Sequence, residues 1–192
     1  MPLTIGLTGG IAAGKSEALA AFARLGASTL SSDAVVHELL DSEPLLGRLV
    51  ERWGAQIAPD GNVDRARIGE VVFADPDQLT WLEQQIHPLV GERIGSWLSA
   101  LPADAEVAVI EVPLLFETGM EKAFDTTVAI VTADEVRRDR AAARGHALVD
   151  EREARQLVQD EKAARADHTV ENDGSVEELE QSLSALLAKL RE

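Results

Sequence analysis

The stretch Leu3-Thr4-Ile5-Gly6-Leu7-Thr8-Gly9-Gly10-Ile11-Ala12-Ala13-Gly14-Lys15-Ser16 decides the fold. Its first five residues form a short apolar run, as in a buried strand. Gly9-x-x-x-x-Gly14-Lys15-Ser16 then matches the phosphate-binding loop pattern in full. The physics calls for these residue types at these places. Glycines let the chain turn so that successive N–H groups face phosphate oxygens. A helix starting near Gly14 adds its positive end. Lys15 brings a compact charge to the β- and γ-phosphates, and the Ser16 hydroxyl is placed to ligand Mg²⁺. The alternative, a chance glycine-rich turn, is disfavoured because a predicted strand precedes the loop and a predicted helix follows it.

Working outward, Leu19, Phe22 and Ala23 carry that helix to a natural stop at Gly26. Ala27 to Leu30 reads as a second strand, ending before Ser31-Ser32-Asp33. Residues from about 34 to 102 read as helical, punctuated by Pro44, Pro59-Asp60-Gly61, Pro76 and Pro102. That is long for one crossover, so an inserted helical lobe is expected. Glu106–Val112 and Thr126–Val131 return to strand character, and Asp167–Val170 is a short, weak strand. Thr132 with Glu135, and Ser175 with Glu178, have capping-box spacing. The last helix carries Val176, Leu179, Leu183, Leu186 and Leu190 on one face. Strands alternating with helices predict an α/β fold, with a parallel sheet of about five strands flanked by helices.

The chain has 192 residues, 45% hydrophobic and 27% charged, which suits one globular domain with a real core. Its formal charge is −16. A nucleic-acid binder normally carries a basic stripe, so nucleic acid is a poor partner. The basic residues are instead concentrated locally: Arg137, Arg138, Arg140, Arg144, Arg152, Arg155, Lys162 and Arg165 share one stretch. Cysteine is absent, excluding disulfides, thiolate nucleophiles and Cys-ligated zinc. No apolar run reaches the roughly 18 residues of a membrane span. The first residues show no signal-peptide pattern. A cytoplasmic enzyme is expected.

A carboxylate at the end of the second strand, Asp33, lies beside the cleft of an open α/β sheet. It suits a base that orients an acceptor hydroxyl, and it equally suits a helix N-cap. Arg137, Arg140 and Arg144 fall at i, i+3 and i+7, so one helix face presents them together. Converging guanidiniums suit the charge of a phosphoryl-transfer transition state; the alternative is a solvated face paired with Asp134, Glu135 and Asp139. Glu111 ends the third strand, where a carboxylate can hold Mg²⁺, directly or through water, or hydrogen-bond the loop. His87 precedes Pro88, which biases it to an extended or turn conformation. No partner at metal spacing makes it a metal ligand. Trp53, Trp81 and Trp97 can stack on adenine, but tryptophans in amphipathic helices more often pack a core, and they are read as packing residues of the helical lobe.

Several segments in order and spacing resemble the dephospho-coenzyme A kinase family along essentially the whole chain. They are the loop, Asp33, Asp60-Gly61-x-Val63-Asp64-Arg65, Val72-Phe73, Ile86-His87-Pro88, Val112-Pro113-Leu114-Leu115-Phe116-Glu117, Arg140 with Arg144, Gln159, Ala166-Asp167, and Asn172 with Gly174. The resemblance implies transfer of the ATP γ-phosphoryl group to the ribose 3′-hydroxyl of dephospho-coenzyme A. It implies a P-loop nucleotide core, a coenzyme-binding lobe over roughly 34–102 and an arginine-bearing lid over roughly 137–162.

On this reading Asp33, Lys15 and Arg140 are catalytic. ATP is bound by Gly10, Ile11, Ala12, Ala13, Gly14, Lys15, Ser16, Glu17, Arg144 and Asn172. The acceptor meets Asp33, Arg65, His87 and Glu117, and the metal meets Ser16 and Glu111. Local alternatives stand beside these roles. Arg65 can pair with Asp64 or meet the coenzyme's diphosphate. Glu117 can hold substrate or orient the junction of core and lobe. His87 can be structural, and Asn172 can touch adenine or only make a turn.

The chain departs from the family pattern at five places. Ala12-Ala13 stands for Gly-Ser, Glu17 for Thr, Ser31 for Asp, Glu111 for Asp and Arg137 for Gln. Ala12 is tolerated easily only if its φ is negative. Glu17 puts negative charge near bound phosphate unless its side chain is directed elsewhere. The competing functions are another small-acceptor kinase, of nucleoside or shikimate type, and a nucleotide-sensing switch.

Overall fold

The computed structural model describes residues 1–143 and 156–191. In chain order the elements are β1 (Leu3–Gly9), α1 (Lys15–Arg24), β2 (Ser28–Ser31), α2 (Ser32–Leu40), α3 (Glu43–Trp53), α4 (Arg65–Ala74), α5 (Pro76–Ser99), β3 (Val107–Glu111), β4 (Thr126–Val131), α6 (Asp134–Ala143), α7 (Gln159–Arg165), β5 (His168–Glu171) and α8 (Val176–Leu190). Arg144, Arg152, Arg155 and the middle of the expected 137–162 lid lie outside the described residues. The chain forms two compact units: Met1–Ser31 with Leu101–Glu192, and Ser32–Ala100.

The first unit is the expected α/β core. All five strands are parallel, in the order β2-β3-β1-β4-β5. β3 is buried along its whole length, and β4 along all but Val131, as strands covered on both faces must be. Ile5, Leu7, Phe22, Val109, Val128, Ile130 and Leu183 meet in one core. α1 ends as its sequence dictates. Gly26 has φ +89, its N–H donates to Ala23 O, and the Ala27 N–H donates to Phe22 O. This is a Schellman closure, which glycine adopts without a Cβ penalty.

Two aspartates staple the strand ends. Asp125 accepts from the N–H and hydroxyl of Thr4 at 2.8 and 2.7 Å, and Asp167 accepts from the N–H and hydroxyl of Thr127, both at 2.8 Å. These bonds hold both carboxyls below the usual aspartate range. β5 therefore starts at His168, one residue later than expected, because Asp167 is turned toward Thr127. The capping box of α8 is present, with Ser175 and Glu178 bonded reciprocally. Of the expected face, Leu179 and Leu183 are buried and Leu186 and Leu190 are half-buried against the core; Leu187 joins them and Val176 is exposed.

The second unit is all helical. Pro44 and Pro76 sit in first helical turns, where a missing N–H is harmless. Asp64 and Asp75 cap α4 and α5 with their side chains. Asp64 also pairs with Arg67 at 3.2 Å, not with Arg65. Pro88 does not break the chain into a turn as expected: it lies inside the 24-residue α5, so His87 is helical. The reason is tertiary. Leu82, Ile86, Val90 and Ile94 recur every four residues as a buried stripe running through Pro88. Keeping that stripe straight outweighs one lost backbone hydrogen bond. Trp53 and Trp81 pack edge-to-face at 5.3 Å, and Trp53 donates to Gln78, so these two are packing residues. No helix among the described residues is long and apolar enough to cross a membrane.

Candidate active site

The loop leaves the C-terminal end of the central strand β1 and enters α1 through Gly14, whose φ is +91. Space is also restricted there, because a Cβ on Gly14 would stand 2.1 Å from Nδ2 of Asn172. Asn172 is buried and donates from Nδ2 to the Ala13 carbonyl at 2.8 Å. The Thr132 hydroxyl donates to the same carbonyl at 2.9 Å. The loop is thus pinned from below by residues that follow β4 and β5. Asn172 buttresses the loop with its side chain, a role neither sequence alternative gave it.

Thr132 does not cap α6. Its hydroxyl is taken by the carbonyls of Ala13 and Asn172. Asp173 instead accepts from the Ala133 N–H at 2.6 Å. Buried carbonyls need donors more than an exposed helix end needs a cap, because water can serve the latter. The backbone of Thr132 is in turn held on both sides by Gln159, which accepts from its N–H at 3.0 Å and donates to its carbonyl at 2.9 Å.

Lys15 is half-buried, with Nζ on the carbonyls of Gly9 and Gly10 at 3.1 and 2.9 Å. Ser16 is exposed in the first turn of α1. Glu17 pairs with Arg24 at 3.0 Å, two turns further on, and Arg24 also holds Glu180 at 2.7 Å. Its carboxylate is drawn along the helix, so of the expected ATP contacts at Glu17 only the backbone N–H stays at the loop. Ala12 has φ +59, a left-handed conformation that strains a residue with a Cβ by about 1–2 kcal/mol.

Two arginines of α6 reach opposite ends of the loop. Nη1 of Arg140 donates to the Asn172 carbonyl at 2.9 Å, and stands 3.6 Å from where a Gly14 Cβ would be. Nη1 of Arg137 stands 2.8 Å from where a Gly10 Cβ would be. Glu111 is buried at the end of β3, in register with Leu7 on one side and Ser31 on the other.

Glu117 faces the interior of the first unit. Its Oε1 accepts from Lys162 Nζ at 3.0 Å and from the Leu157 N–H at 2.8 Å, while Oε2 is buried without a hydrogen-bond partner. Lys162 is fully buried and also donates to the Pro113 carbonyl. Burial pushes its ammonium below the usual lysine range, and Glu117 opposes that shift. Sequence reasoning assigned no role to Lys162, Gln159 or Asp173, named Gln159 only by resemblance, and read Thr132 as a helix cap.

Of the expected acceptor residues, Glu117 belongs to the first unit, while Asp33, Arg65 and His87 belong to the second. Asp33 is exposed in the first turn of α2, and its carboxylate caps no helix. Arg65 opens α4 and His87 lies on α5; both are exposed, and the His87 side chain makes no hydrogen bond among the described residues.

Comparison with known proteins agrees with this architecture. The profile of the dephospho-CoA kinase family matches residues 3–178. A Streptomyces avermitilis dephospho-CoA kinase is 39% identical over 193 residues, covering 98% of this chain and 94% of the relative. A crystal structure of TT1252 from Thermus thermophilus superposes with a TM-score of 0.81 at 36% identity, covering 98% of each chain. A dephospho-CoA kinase from Campylobacter jejuni shares the fold, with a TM-score of 0.73 at 24% identity, over 99% of this chain and 98% of that one.

Proposed function

We infer the working parts of this enzyme from one premise: the chain belongs to the dephospho-CoA kinase family. Its reaction is phosphorylation of the ribose 3′-hydroxyl of dephospho-coenzyme A by ATP, the last step of coenzyme A biosynthesis. The observation that carries the assignment of parts is the pinned loop. Its shape is held through the Ala13 carbonyl, with Lys15 at its mouth and Arg140 beside Gly14.

In the proposed mechanism the amides from Gly10 to Ser16 bind the phosphates at the positive end of α1. The Lys15 ammonium exchanges the carbonyls of Gly9 and Gly10 for the β- and γ-phosphates. Arg140, anchored on Asn172, adds charge near Gly14, and Arg144 is assigned to ATP through the family resemblance. Asp33 orients the 3′-hydroxyl and accepts its proton as the oxygen bonds to the γ-phosphorus and the bond to ADP breaks. Arg65 and His87 contact the coenzyme from the Ser32–Ala100 lobe. The proposed lid spans 137–162.

Mg²⁺ fits the donors available, the Ser16 hydroxyl and the Glu111 carboxylate. It is a hard cation that takes one or two protein oxygens and completes its shell with water and substrate phosphates. Bound there, it would neutralise phosphate charge. The proposed setting is the cytoplasm, with dephospho-coenzyme A and ATP as partners.

The test is ADP release with ATP and a panel of acceptors: dephospho-coenzyme A, adenosine and shikimate. Turnover is expected with dephospho-coenzyme A alone. Equal or faster turnover with another acceptor, or ATP binding with no acceptor-dependent turnover, would overturn the reading.

A further inference from the structure

Arg137 stands where the family resemblance expects glutamine, and the loop mechanism above does not use it. Its surroundings are unusual for a structural arginine. The side chain is 24% exposed, whereas its ion-pair partner Asp134 is 75% exposed. The separation is 3.5 Å, and Nε is buried without a hydrogen bond. A pair so open on one side contributes little, so it does not account for holding a guanidinium under cover. What the guanidinium covers is the first turn of the loop, where Nη1 sits over Gly10. It also lines a cavity of about 270 Å³ whose wall includes Gly10 and Ile11. Two carboxylates, Asp134 and Asp160, share that lining; the first is paired with Arg137 and the second is exposed.

This end of the loop is where the terminal phosphate belongs. Lys15 Nζ, which serves the β- and γ-phosphates, rests on the carbonyls of Gly9 and Gly10. Arg140 stands at the other end, beside Gly14, where α1 begins. The two guanidiniums, one helical turn apart on α6, therefore flank the loop lengthwise. We propose that Arg137 is a further phosphate ligand of this enzyme, taking the γ-phosphate of ATP at the Gly10–Ile11 end of the loop. A phosphate oxygen there gives this half-covered guanidinium, whose Nε has no hydrogen bond among the described residues, a charged acceptor. The proposal rests on the ATP-binding reading of the loop and adds to it a contact that ADP cannot make.

The difference between ATP and ADP supplies the test. ATP and ADP are titrated calorimetrically into the full chain, wild type, Arg137→Gln and Arg137→Lys, and ligand-free melting is recorded for each. Arg137→Gln is expected to weaken ATP about tenfold, or about 1.4 kcal/mol, the scale of one charge-assisted hydrogen bond. ADP affinity should stay within about twofold. Arg137→Lys, which keeps a charge, should recover part of the ATP loss without changing ADP. Equal weakening of both nucleotides would mean that Arg137 acts only on loop shape, and would overturn the proposal, as would unchanged ATP affinity. A wild-type chain that binds neither nucleotide would overturn the loop reading itself, before any substitution is made.

Discussion

Replacing Lys162 by methionine tests how the core of the first unit is held together. Methionine keeps the length and removes the charge, so little cavity is made. The Pro113 carbonyl retains the Thr8 hydroxyl at 3.3 Å. The Glu117 carboxylate fares worse. It keeps one donor, the Leu157 N–H, and Oε2 already has none. Breaking a buried pair from one side destabilises by about 3–5 kcal/mol.

Lys162→Met should therefore lose about 3–5 kcal/mol at pH 7. The double variant Glu117→Gln with Lys162→Met should regain at least about 2 kcal/mol at pH 7, since a neutral amide still accepts from Leu157. Urea unfolding followed by far-UV circular dichroism measures this. Fluorescence does not, because Trp53, Trp81 and Trp97 all lie in the Ser32–Ala100 unit. A loss under about 1 kcal/mol at pH 7, or no recovery in the double variant, would refute the reasoning.

Three further substitutions follow from backbone and charge. Ala12→Gly relieves a left-handed alanine worth about 1–2 kcal/mol but adds unfolded-state entropy worth about 0.4–1 kcal/mol, so a melting point higher by about 1–4 °C is expected by calorimetry. Gly14→Ala drives a Cβ into Asn172 and should abolish the rise in melting point that ATP gives the wild type; an unchanged ATP-induced shift would show the loop to be more pliant than described. Asp167 has a lowered pKa, so its contribution is present above the unfolded value of about 3.9 and is lost as pH falls through the folded one. Melting points of wild type and Asp167→Asn should hence differ most above about pH 4 and converge in stronger acid; parallel curves would contradict this.

The loop, its strand and its helix were readable because every position in that motif has a local steric or charge requirement. The parallel core was readable because strands buried on both faces leave continuous apolar runs, as in Val107-Ala108-Val109-Ile110. Readings failed where a distant residue outbid a local rule. Pro88 biases His87 toward an extended or turn conformation, but a stripe from Leu82 to Ile94 carried the helix through it. Thr132 has capping-box spacing, but its hydroxyl serves a carbonyl 119 residues away. Nothing near Lys162 announces that it is buried, because its partner Glu117 lies 45 residues earlier. Glu17 looked awkward beside phosphate until Arg24 was seen to hold it. Of the candidate site, the loop, Lys15 and Arg140 were legible. The Asn172 buttress and the placing of Arg137 over Gly10 depend on tertiary packing and were not.

The most direct test of the central claim, a kinase with its own acceptor base, is a paired measurement on Asp33→Asn. ATP affinity is obtained by titration, and transfer to dephospho-coenzyme A by single turnover. Because the exposed Asp33 side chain caps no helix, stability should change little. ATP affinity should stay within about twofold, while transfer should fall by about 10², the lower end of the usual general-base range, because proton removal comes late in a loose transition state. Transfer at the wild-type rate would contradict the assigned role, and a large loss of ATP affinity would move Asp33 from the acceptor to the nucleotide or the metal.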